Sequence, residues 1–246
     1  GDGDTNPGGD IYVRDSNSRP TTLVSRADGP AGAVSLNGAG APIISADGNR
    51  VAFASSTTNF GVPGGSSQIY VRDLAANTTT LVSRADGAAG AAGTSNSLEP
   101  GISGDGNLVV FASAATNLSP DDLLVDRDIY VRNLAANTTT LVSRAPGLAG
   151  AKLIEYEYGQ TISTDGSTVA FETSENLAVP GGTPWPVGPD QIVLRKLATG
   201  VNSLVSSAGG VPAETAASDA SLNRDGSVVA FETDAPNLLP GLGSGD

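Results

Sequence analysis

The side chains able to do chemistry in this chain are carboxylates and hydroxyls. Asp2, Asp4, Asn6 and Asp10 open it as a D-x-D-x-N-x-x-x-D string, a spacing by which a flexible loop wraps oxygen ligands round a hard cation, with calcium the natural ion. The string lacks the bidentate terminal Glu of a helix-flanked calcium loop. A second acidic loop, Asp121, Asp122, Asp126 and Asp128, offers the same atoms, with Arg127 placed inside it to offset part of the field. Glu172 and Glu232 recur at equivalent positions and would suit the acid and base of a glycoside hydrolase, given a catalytic separation. Their register sets them on the face opposite a core Phe, where burial against Arg is expected, so no catalytic residue is assigned and a carboxylate hydrolase is the minor alternative. Trp185, held between Pro184 and Pro186, and the loop tyrosines Tyr156 and Tyr158 are the candidate ligand-binding side chains, able to stack on a sugar ring or anchor a peptide.

What is missing narrows the chemistry further. The 246 residues contain no Cys, His or Met, which removes disulfides, thiolate or imidazole metal sites, and nucleophile-histidine catalysis. Thirteen basic residues against 26 acidic ones give a net charge of -13, which repels nucleic acid. No apolar run approaches the roughly 20 residues needed to cross a bilayer, and no polybasic patch would hold the chain to a lipid surface. With Gly1 at its start and no Met, the chain is expected to be a processed product, secreted or held at a bacterial cell surface or in a periplasm.

The elements that must position these residues come from an internal repeat. Asp47-Gly48, Asp105-Gly106, Asp165-Gly166 and Asp225-Gly226 recur at steps of 58, 60 and 60. Ile11-Tyr12-Val13-Arg14, Ile69-Tyr70-Val71-Arg72 and Ile129-Tyr130-Val131-Arg132 keep that step, with Ile192-Val193-Leu194-Arg195 as the variant, and Leu-Val-Ser follows at 23, 81, 141 and 204. Each unit reads as four short strands separated by turn residues: in one unit, Pro100 to Ser103, Leu108 to Ser113, Asp128 to Leu134 and Thr138 to Arg144. Asp-Gly and Asn-Thr serve the tight turns, because Gly takes positive φ freely and Asn tolerates it. Phe53, Phe111, Phe171 and Phe231 share one register of the second strand, and Tyr12, Tyr70 and Tyr130 one register of the third, as a core between neighbouring sheets requires. Arg14, Arg72, Arg132 and Arg195 are expected to pair with acidic residues of their own repeats.

Four-stranded antiparallel units repeating radially make a β-propeller. The runs Ile102-Ser103-Gly104-Asp105-Gly106, Val109-Val110-Phe111-Ala112-Ser113 and Asp128-Ile129-Tyr130-Val131-Arg132 resemble the TolB-like propeller repeat over nearly the whole chain. That resemblance implies a propeller typical of secreted or periplasmic bacterial proteins. The expectation is one all-β domain over residues 1–246, a propeller of four four-stranded blades. One blade joins the third and fourth strands of the N-terminal unit, Asp10 to Arg26, to the first and second strands of the C-terminal unit, Ala220 to Thr233. The same halves could complete one another between chains and build a fibre. The expected function is a non-catalytic extracellular scaffold whose partner is itself, another protein or a glycan. A glycan- or peptide-binding module working through the long-loop face is the alternative.

Overall fold

The computed structural model describes residues 8–17, 20–62, 64–154, 157–175 and 188–239. Every repeat folds on the same local logic. In three of the four repeats a serine two residues before Asp-Gly donates its hydroxyl to that Asp, as Ser45 does to Asp47 at 2.5 Å and Ser103 to Asp105 at 2.6 Å, and in the fourth Asn223 takes that place. The same Ser oxygen accepts the backbone N–H that restarts the chain, from Arg50 and from Leu108, both at 3.0 Å. Glycine completes the reversal at positive φ, 73° at Gly48 and 71° at Gly106.

The strands are β1 (Tyr12–Val13), β2 (Thr22–Leu23), β3 (Ala39–Ile44), β4 (Arg50–Ser55), β5 (Gln68–Asp73), β6 (Thr78–Leu81), β7 (Ser97–Ile102), β8 (Leu108–Ser113) and β9 (Asp128–Asn133). They continue as β10 (Thr138–Leu141), β11 (Tyr158–Ile162), β12 (Thr168–Thr173), β13 (Gln191–Lys196), β14 (Val201–Leu204), β15 (Ser207–Ala208), β16 (Val211–Pro212), β17 (Ala217–Leu222) and β18 (Val229–Thr233). A single turn of 3-10 helix, Pro236–Leu238, follows. Sheets β3-β4-β5-β6, β7-β8-β9-β10 and β11-β12-β13-β14 are complete antiparallel blades. The anticipated strands match closely, except that the first strand of a blade starts earlier and the fourth stops sooner.

Among the described residues, the join expected between the two terminal halves does not form. β1-β2 and β17-β18 stand as separate two-stranded sheets at the ends of a row of three complete blades. β1-β2 packs on the first blade through Ile11, Val24, Val51, Phe53 and Tyr70. β17-β18 packs on the third through Ala170, Ile192, Ala217, Leu222 and Phe231. Within a blade the Phe and Tyr registers stand opposite each other on neighbouring strands and stack, Phe53 on Tyr70 and Phe111 on Tyr130, each pair with ring centroids 5.8 Å apart, and each pair packs on the preceding sheet.

Two devices hold blade to blade. The Asp-Gly turns are linked in series, with Ala46 N–H donating to Gly104 O at 3.0 Å, Gly104 N–H to Thr164 O at 2.7 Å and Asp165 N–H to Arg224 O at 2.9 Å. The connections leaving the fourth strand of each blade double back as narrow hairpins, bridged at Arg26↔Val34, Arg84↔Ala92 and Arg144↔Lys152. Each hairpin lies along the outer strand of the next blade: Thr79 N–H donates to Asp28 at 2.6 Å and Gly29 N–H to Asn77 O at 2.7 Å. These connections therefore protect outer sheet edges that would otherwise template aggregation.

The arginines of the third strands serve this second device, which corrects the expectation of acidic partners. The Arg72 guanidinium donates to Ala27 O at 3.0 Å and Gly29 O at 2.9 Å, both in the hairpin of the preceding repeat, and to Asn77 Oδ1 and Thr79 Oγ1 of its own. Arg132 repeats the pattern on Ala85 O and Gly87 O, and Arg195 on Ala145 O and Gly147 O. The planar fork reaches two carbonyls of one chain turn, which a carboxylate partner would forestall. Burial lowers the pKa of all three, Arg195 to about 10, and the carbonyl ring still holds them as cations at neutral pH.

Candidate functional site

At the start of each third strand the repeat places an oxygen acceptor, and the Ser of Leu-Val-Ser donates to it. Ser25 donates to Asp10 Oδ1 at 2.5 Å, Ser83 to Gln68 at 2.6 Å, Ser143 to Asp128 at 2.6 Å and Ser206 to Gln191 at 2.7 Å. Asp10, expected among the calcium ligands, thus occupies a position that every repeat uses for structure. Its companions Asp2, Asp4 and Asn6 lie outside the described residues.

Where the acceptor is Gln, its amide also donates to the following connection, Gln68 to Gly93 O and Gln191 to Ala213 O, each at 3.1 Å. Asp128 has no amide N–H to give. The equivalent carbonyl, Leu153 O, takes its hydrogen bond from the Lys152 ammonium at 2.8 Å, and the same Nζ stands 2.9 Å from Asp128 Oδ2. An ion pair therefore does here what one neutral amide does in two other repeats.

Around that pair the structure gathers three further acids. The connection between β8 and β9 turns Asp122 and Asp126 inward, 3.9 Å and 2.8 Å from Lys152 Nζ. Asp122 accepts the Tyr130 hydroxyl at 2.5 Å. Glu157, fully buried, is tied by its N–H to Arg127 O at 3.0 Å and reached by the Thr173 hydroxyl at 3.4 Å. Oxygens of Asp122, Asp126 and Asp128 lie within 4.8 Å of one another. Buried, Asp122 Oδ1, Asp126 Oδ1 and Glu157 Oε2 receive no hydrogen bond, and Asp128 Oδ2 meets Lys152 off the hydrogen-bonding direction.

The electrostatics follow from this crowding. Burial pushes Asp128 up to about 7 against the opposing pull of Ser143 and Lys152, and pushes Glu157 up to about 10, with the Asp128 charge adding to the effect. Burial works against the Lys152 ammonium too, but Asp126 and Asp128 overcome it and raise its pKa. The cation that offsets this loop is thus Lys152 and not Arg127, while Asp121 turns outward to pair with Arg144.

The other expected residues fall elsewhere. Trp185 and Tyr156 lie outside the described residues. Tyr158 opens β11 and donates its hydroxyl to Asp190, and burial followed by that carboxylate raises its pKa. Glu172 is buried, and its Oε1 accepts the Asp219 N–H at 3.0 Å while filling the space beside Gly159. Glu232 sits in β18 opposite Ser218, exposed. Lys152 and Glu157 escaped sequence reasoning, although a signal existed: the equivalent residues are Val34 and Ala92 for the lysine, and Ala39, Ser97 and Ala217 for the glutamate.

Sheets of this form, repeated in a row and packed face to face, define an all-β propeller. No protein-family model matches the sequence, and no curated protein matches it. Among solved structures, the chain is similar to TolB from Acinetobacter baumannii, with a TM-score of 0.50 and 19% identity over 89% of this chain and 42% of that one. It is also similar to the protein described as a TolB from Agrobacterium tumefaciens, at TM-score 0.48 and 18% identity over 92% of this chain and 74% of that one. A structure of prolyl endopeptidases aligns at TM-score 0.49 and 13% identity over 86% of this chain and 27% of that one. The fold is a TolB-like β-propeller, and the chain spans under half the length of the Acinetobacter protein it matches.

Proposed function

We propose that this chain is a non-catalytic extracellular scaffold that associates with copies of itself, end to end, by completing half-blades between molecules. The observation that carries the reading is one repeated isoleucine. Ile102 and Ile162 end the first strands of the second and third blades and are 9% and 8% exposed, because a preceding blade covers them. Ile44, in the same position of the first blade, is 49% exposed. At the other end of the row Phe231 is partly exposed, while Phe53, Phe111 and Phe171 are fully buried.

These ends are the two sides of one repeating interface. Pairing β18 of one copy with β1 of the next would set Phe231 opposite Tyr12, as Phe53 stands opposite Tyr70. It would also lay β17-β18 over Ile44, and complete burial of each such side chain contributes roughly 1.5–3 kcal/mol. A heterologous contact of this kind propagates unless its rotation closes a ring. The non-catalytic part of the reading draws support from the acids themselves: Asp122, Asp128, Glu157 and Glu172 are shut away from any polymeric substrate.

Light scattering across a concentration series, in chelator, tests the reading. Masses that climb above 24.4 kDa with concentration, and return to that value in Ile44→Lys, are expected. A mass fixed at 24.4 kDa at every concentration overturns it.

A further inference from the structure

The loop between β8 and β9 is inside out by hydrophobic criteria. Leu123, Leu124 and Val125 are 80%, 48% and 76% exposed, while the aspartates on either side of them, Asp122 and Asp126, are buried. Burying carboxylates in place of available leucines is unfavourable unless something pairs with them. Lys152 brings one positive charge to three aspartates. Its ammonium bonds Asp126 and faces Asp128, while Tyr130 serves only one oxygen of Asp122. Asp122 Oδ1 and Asp126 Oδ1 are left buried without a donor, as is Glu157 Oε2 beyond them.

The fold itself does not ask for this charge. Gln68 and Gln191 make the equivalent connection with a neutral amide, so the excess negative charge belongs to this repeat alone among the three complete blades. We propose that Asp122, Asp126 and Asp128 form a binding site for a divalent, oxygen-seeking cation of the calcium class, and that the Lys152 ammonium is the occupant this cation displaces. All-oxygen ligation by carboxylates selects hard cations. A flexible four-carbon stem lets the Lys152 head leave for water while its apolar part stays packed.

Isothermal titration of chelator-stripped protein with calcium and with magnesium tests the assignment, alongside terbium luminescence excited through tyrosine. One saturable site is expected, with terbium emission sensitised by Tyr130 and removed by excess calcium. Asp126→Asn is expected to weaken calcium binding by about tenfold or more. Lys152→Met, which removes the competing charge, is expected to bind calcium more tightly and to regain thermal stability when calcium is added. Should a variant fail to fold, Tyr130→Phe in otherwise native protein decides: terbium emission falls by more than half while calcium affinity persists. Absence of heat and of terbium emission at millimolar metal overturns the proposal. Affinity unchanged in both Asp122→Asn and Asp126→Asn overturns it as well, by moving any binding to the Asp2, Asp4 and Asn6 string.

Discussion

Arg132 lies 2% exposed, with its fork closed on Ala85 O, Gly87 O, Asn137 Oδ1 and Thr139 Oγ1. A lysine in its place keeps the charge but meets one carbonyl at a time, leaving buried acceptors unserved. Arg132→Lys should lower unfolding free energy by about 2–3 kcal/mol with an unchanged urea m-value. Gly159 makes a second residue-scale test. It stands at φ 59°, in the bulge where Ala41, Glu99 and Asp219 adopt 50°, 54° and 55°, so left-handed backbone alone does not demand glycine there. Glycine is used here because a Cβ would collide with the buried Glu172 carboxylate, whereas among the equivalent second-strand residues Ala54 and Ala112 leave room and Glu232 is exposed. Gly159→Ala should therefore destabilise by about 2 kcal/mol or more, and Glu172→Ala should restore much of the loss, giving a double-mutant coupling on the order of 1–2 kcal/mol by denaturant titration.

At the scale of the element, the Asp-Gly turns govern behaviour in acid. The Ser45 hydroxyl, followed by the Asn49 backbone and side chain, holds Asp47 down to about 2, below its ordinary 3.8, and similar bonds lower Asp105, Asp165 and Asp225. A carboxylate with a depressed folded pKa adds stability that is complete above its unfolded pKa and is lost as pH falls through the folded one. The share of stability held by these four turns should thus be complete above pH 5 and lost between about pH 4 and 2, while Asp128 and Glu157, raised by burial, favour the fold increasingly as pH falls from about 10 toward 4. Circular dichroism should show a fall in melting temperature below about pH 4 that is shallower in Asp105→Asn. These turns were legible in the sequence because their chemistry is local, as were β8 and the third strands with their Phe and Tyr registers. The bulge in the first strands was not, since Ala41, Glu99 and Asp219 give no glycine signal for left-handed backbone.

At the scale of the whole molecule, each blade touches only its neighbours, so stability is the sum of repeats and the faces between them. The end faces are where association adds to that sum. Native-state association of copies makes the thermal midpoint depend on concentration. A rise of several degrees between micromolar and hundred-micromolar protein, measured by scanning calorimetry and absent in Ile44→Lys, is the expected result. The row also explains why the guanidinium clamps matter beyond their own repeat: Arg72, Arg132 and Arg195 each hold a hairpin that begins in the preceding one.

The amino-acid sequence alone determined the repeat, its four-strand units, the all-β propeller and the aromatic layers, because these depend on periodicity and on turn chemistry spanning a few residues. It left the arginines with the wrong partners, since the carbonyls they bind lie 43 to 50 residues earlier along the chain and carbonyls carry no sequence mark. Tertiary structure decided that Asp10 serves the framework, that Glu172 fills space beside Gly159, and that Lys152 stands 24 residues from Asp128 in sequence yet 2.9 Å away in space. Charge can be counted along a chain, but which charges share one buried volume depends on how neighbouring blades bring their loops together.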